Sequence, residues 1–93
     1  MPNDCPECGR ALEELVGQIR TMTTKNQLSS DLAARMEREL QTAIAAANQE
    51  PQDLKLMLAK LDKAKALVKT VPSASGLLPN IAETITLVKN HLP

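Results

Sequence analysis

None of the 93 residues is Phe, Tyr or Trp, and that absence constrains the fold more than any other feature. A chain of this length makes one domain and buries only roughly 60–65% of the surface its unfolded form exposes. Its core must therefore come from Leu, Ile, Val, Met and Ala. These side chains bring less buried area each than an aromatic ring. A thin aliphatic core of this kind gains from a bound metal or a second chain.

The apolar residues recur at helical spacing in four segments, and no alternating strand pattern competes with them. Leu12, Leu15, Val16, Ile19 and Met22 form one stripe, following the i, i+3, i+4, i+7 rule of an amphipathic helix. Thr23, Thr24 and Asn26 are poor helix formers and mark its end. Ser29 or Ser30 then caps a second helix, with Asp31 in the first turn and a stripe of Leu32, Met36, Leu40, Ala43, Ile44 and Ala47. Pro51 reads as the first residue of a third helix, with Asp53 in its opening turn. Its stripe is Leu54, Met57, Leu58, Leu61, Ala64, Val68 and Val71. A fourth helix follows the turn Val71–Gly76 and carries Leu78, Ile81, Ala82, Ile85, Val88 and Leu92 on one face.

The expectation is an all-α fold with helices near 9–23, 30–48, 51–70 and 77–91. Short connections make consecutive helices antiparallel neighbours, so the architecture is a small up-down-up-down four-helix bundle. Residues 1–8 read as an N-terminal tail and residues 9–93 as the helical domain. Gly17, inside the first helix, costs roughly 1 kcal/mol relative to alanine and reads either as a close approach by a neighbouring helix or as a tolerated glycine on the solvent face.

Charge argues about partners. The formal net charge is zero, but residues 1–50 hold eight acids against five bases and residues 51–93 three acids against six bases. Opposite halves suit pairing within the chain or self-association. Phosphate binding wants a concentrated basic face, and single-stranded bases want aromatic platforms that are missing here. Nucleic acid is not an expected partner. No apolar run reaches the length of a membrane span, and the N-terminus lacks a signal peptide's regions, so no membrane association is expected and a cytoplasmic location is. In that compartment two cysteines are expected as thiols or metal ligands rather than as a disulfide.

Those cysteines form the sharpest motif, Cys5-Pro6-Glu7-Cys8-Gly9. It resembles one knuckle of a zinc ribbon, in which two thiolates grip one metal. A closed structural zinc site takes four ligands, and a ribbon supplies the other two from a second knuckle that this chain does not have. The bundle topology places the start of the first helix and the end of the fourth together, so His91, the single histidine, is the expected third ligand for Zn²⁺, with Asp4 as a fourth. A second copy of the knuckle is the other source. A tail without metal and a redox pair are the remaining readings, and His91 alone also reads as a cation complementing the C-terminal helix dipole.

The third helix supplies a candidate interface. Leu56 and Leu67 lie about 110° from the centre of its main stripe, and Lys60 and Lys63 flank them. A lysine-rimmed apolar ridge suits an acidic helix such as the one bearing Glu13 and Glu14, in the same chain or in another. Catalysis is not expected. The lone histidine stands at a chain end away from any paired nucleophile, and there is neither a phosphate loop nor a Glu-x-x-His pair. The functional expectation is a helical protein-interaction module that self-associates and acts as adaptor, inhibitor or regulatory subunit. The alternative is a metal-stabilised or metal-responsive protein using Cys5 and Cys8.

Overall fold

A computed structural model describes residues 5–92. Among them are four α-helices and no strand: α1 (Cys8–Thr24), α2 (Ser30–Ala47), α3 (Leu54–Lys69) and α4 (Leu77–Lys89), with a 3-10 turn at Pro72–Ala74 before α4. Each helix packs on its neighbours around a closed ring, α1 on α2, α2 on α3, α3 on α4 and α4 back on α1, and the α2–α3 seam is the most extensive. The result is the expected four-helix bundle, 41 × 19 × 17 Å. No helix among the described residues is long and apolar enough to cross a membrane.

Local chemistry sets the ends. Asn26 takes φ 61°, the left-handed conformation that asparagine tolerates best after glycine. The N–H groups of Asn26 and Gln27 then donate to the carbonyls of Thr23 and Met22, at 3.1 and 2.9 Å, closing the end of α1. Ser29 Oγ accepts from the N–H of Leu32 and caps α2. Asp53 Oδ1 accepts from the N–H of Leu56 at 3.0 Å and caps α3. That cap corrects the expected start of the third helix. Pro51 lies before α3, in the connecting loop, where its peptide bond to Glu50 is cis. Asp53 ends the loop instead of sitting inside the helix, and its own N–H donates back to Ala46 O at 3.2 Å.

The core is aliphatic throughout. Leu12, Ile19, Met36, Leu40, Met57, Leu61, Leu77, Ile81, Val68 and Val88 are among its largest fully buried side chains. Three details depart from the periodic reading. In α2 the centre of the buried face runs through Ala33, Met36, Leu40, Ala43, Ala46 and Ala47, while Leu32 and Ile44 are half-buried at its flanks. Small residues at the centre let the neighbouring helices come close, and the larger side chains close the edges. In α4 the register is set by Leu77, so Leu77, Ile81, Thr84, Ile85 and Val88 are buried and Ala82 is exposed. Thr84 enters the core because its hydroxyl donates to Asn80 O at 2.9 Å. Gly17 faces solvent, and a Cβ there would meet nothing within 4 Å, so no neighbouring helix requires a glycine.

Candidate functional site

The first candidate lies at the end of the bundle where α1 begins. Cys8 is the first residue of α1, and Cys5 precedes it by one turn, with the N–H of Cys8 donating to Cys5 O at 3.2 Å. Both side chains are completely buried. They are joined to one another as a disulfide. Cys5 and Cys8, read from the sequence as part of a tail, therefore pack within the core, and α1 begins at Cys8. The apolar neighbours available at this corner supply the reason. α1 packs beside the end of α2 here, where a Cβ built on half-buried Gly9 would stand 3.9 Å from that of Ala47, an ordinary contact.

Gln52, from the loop between α2 and α3, fixes the segment in place. Its Oε1 accepts from the N–H of Cys5 at 2.7 Å, and its Nε2 donates to Cys5 O at 3.1 Å and to Ala47 O at 2.8 Å. One side chain satisfies three backbone groups in a loop that has no ladder of its own.

The expected pair of thiols or metal ligands is thus a bonded pair, and a disulfide sulfur carries no thiolate for a metal. His91 follows α4, with Nδ1–H donating to Leu87 O at 3.0 Å, so that nitrogen is engaged by its own helix end. Among the described residues, no group of three His, Cys, Asp or Glu side chains stands together to hold a metal ion. Asp4, the expected fourth ligand, lies outside the described residues.

The second candidate is the seam between α2 and α3. Leu56 and Leu67 are half-buried and pack against the core, as does Leu58 on the other flank of α3. The wide apolar arc of this helix is therefore largely spent inside the chain. Lys60 Nζ stands 3.2 Å from Glu39 Oε2 of α2. That oxygen is buried and accepts no hydrogen bond of good geometry, so the ammonium serves it as a close counter-charge rather than as an aligned donor. Glu39, and not Glu13 or Glu14, is the acidic partner of the ridge. Glu13 and Glu14 are exposed on α1.

With Lys60 turned inward, Lys63 stays exposed and lines an open groove with Arg35, Arg38, Glu39, Ala66 and Leu67. Arg35 and Arg38 are also exposed, and the ion pairs formed among the described residues, Arg20–Glu37 and Lys60–Glu39, involve none of the three groove cations. The groove is a small apolar floor between three cations, over an acid already neutralised from below. Sequence reasoning singled out Lys63 and Leu67 but missed Arg35 and Arg38. Their three-residue spacing on α2 was a usable signal, since it puts both on one side of the Met36–Leu40 stripe.

No protein-family profile, curated protein or solved structure matches this chain.

Proposed function

We propose that the chain is a helical protein-interaction module whose docking face is the α2–α3 groove, acting as an adaptor, inhibitor or regulatory subunit. The observation that carries this reading is the trio of Arg35, Arg38 and Lys63 around Ala66 and Leu67. Arginine is enriched at protein interfaces because its planar fork binds carboxylates in a bidentate manner and its stem covers apolar surface. An aliphatic floor with a charged rim is the anatomy of a docking patch, and no chemical step is part of the proposal. The same trio disfavours the simplest form of self-association. A two-fold dimer built on this face would set cations against their own copies.

Site-resolved crosslinking tests the reading. A photoreactive amino acid in place of Ala66 is expected to give a discrete adduct in cells, and the same group in place of exposed Ala82 on α4 is not. The adduct should disappear when Arg35 and Lys63 are both changed to glutamate. Adducts of equal yield from positions 66 and 82, or none from 66, would remove the α2–α3 groove as the docking face.

A further inference from the structure

We infer that the occupant of the α2–α3 groove is an acidic helical segment of a different protein, carrying an aliphatic side chain flanked by carboxylates. The inference rests on the docking reading above and adds the chemistry of the partner.

Charge complementarity commits the occupant. The groove holds Arg35, Arg38 and Lys63 against one acid, Glu39, and Lys60 already answers that acid at 3.2 Å. A ligand therefore meets, on both walls, positive charge that no ion pair among the described residues compensates. Arg35 and Arg38 stand on α2 and Lys63 on α3, so the cations flank the floor instead of forming one row. A ligand that satisfies both walls needs carboxylates on either side of whatever enters the middle. The floor, Ala66 and Leu67, is apolar and belongs to one turn of α3. It takes an aliphatic side chain. A helix presents that arrangement naturally, because residues three and four apart share a face and their neighbours project to its two sides.

A polyphosphate backbone meets the cations but has nothing for the floor, and the chain has no Phe, Tyr or Trp to serve as a stacking platform for bases. A second copy of this chain using the same face brings like charges together.

The test uses a capped synthetic peptide of about five helical turns, with leucines at i and i+4 flanked by glutamates, titrated into the folded chain. Two matched peptides replace Glu by Gln or Leu by Ala. The glutamate peptide is expected to shift backbone resonances of residues 35, 38, 63, 66 and 67 selectively. The Arg35→Glu, Lys63→Glu variant should weaken it about tenfold or more, and Lys55→Glu, Lys69→Glu, an equal charge change away from the groove, by no more than about twofold. Both peptide replacements should also weaken binding by about tenfold. Equal loss from the off-groove variant, or equal binding of the Leu→Ala peptide, would reduce the effect to general charge attraction and overturn the inference. So would a single-stranded oligonucleotide that shifts the same resonances more tightly. If no peptide binds while the crosslink at position 66 persists, the acidic helix is wrong and the docking face stands. If the crosslink fails and the peptide still binds selectively, the inference about chemistry survives and the cellular role falls.

Discussion

The side-chain amide of Gln52 clasps the backbone of Cys5 from both sides, accepting its N–H at 2.7 Å and donating to its carbonyl at 3.1 Å across 47 residues of sequence. A third bond, to Ala47 O, ties the same amide to the end of α2. The start of α1 and the α2–α3 loop are thus one unit, held by a residue that has both a donor and an acceptor.

That division of labour gives the first prediction. Gln52→Ala leaves the N–H of Cys5 and the carbonyl of Ala47 without partners in a part-buried site, and Cys5 O with the N–H of Cys8 alone, at a cost of about 1–3 kcal/mol. Gln52→Glu keeps the acceptor for Cys5 N–H but places carboxylate oxygen against Cys5 O and Ala47 O, and at neutral pH should cost at least as much. Chemical denaturation of the three proteins decides it. A glutamate variant as stable as the parent would mean that the two donated bonds contribute nothing.

Opening the disulfide should be a moderate loss. A cross-link closing so short a loop removes little chain entropy, about 2 kcal/mol on the loop-length relation. For a domain of this size that corresponds to a fall in Tm of about 8–16 °C. Melting with and without a non-thiol reductant measures it. In a reducing cytoplasm the chain would carry this loss continuously, whereas an oxidising compartment would spare it. If reduction leaves Tm unchanged and added Zn²⁺ raises it, the pair serves as ligands rather than as a bond.

The same end of the bundle shows where sequence reasoning stops. The four helices were legible because Leu12, Leu15, Val16 and Ile19, or Leu54, Met57, Leu61 and Ala64, repeat every three or four residues, a property local to each segment. Asp53 was legible as a residue near a helix start but not as the cap, since Pro51 offered an equally good first position two residues earlier. Gln52 carried no signal at all, because its partner is fixed only once the start of α1 meets the α2–α3 loop. The cysteines were visible as a pair, and their spacing alone did not separate ligands from a bond. At the groove, Lys63 and Leu67 were legible from one helix. The inward turn of Lys60 depends on Glu39, which another helix supplies.

Packing in α3 separates two leucines that the pattern had already distinguished. Leu61 is fully buried at the centre of the bundle, and Leu61→Ala should cost about 2–5 kcal/mol through lost burial and a residual cavity. Leu56 is half-buried at the α2 edge, where water can fill the space, and Leu56→Ala should cost clearly less. Urea titration of both variants gives the comparison. Equal destabilisation would make the edge of α3 ordinary core and leave the floor of the neighbouring groove less available to a partner than its exposure implies.

Gly17 yields a prediction of opposite sign. It lies within α1, exposed, and a Cβ built on it meets nothing within 4 Å. Glycine in a helix interior is unfavourable relative to alanine by roughly 1 kcal/mol, because the unfolded chain loses more freedom on folding. Gly17→Ala should therefore stabilise the chain by about that amount, which raises Tm by about 4–8 °C. Gly76→Ala is the useful contrast. A Cβ there would stand 3.5 Å from Met22 Cε, in ordinary contact, and Gly76 precedes α4 instead of lying within a helix, so the gain should be smaller. A loss of stability in the Gly17 variant would mean that something closes on that face of α1 in solution, and a second chain would be the first candidate. Sedimentation of parent and variant would then show the parent as an assembly and the variant as a monomer.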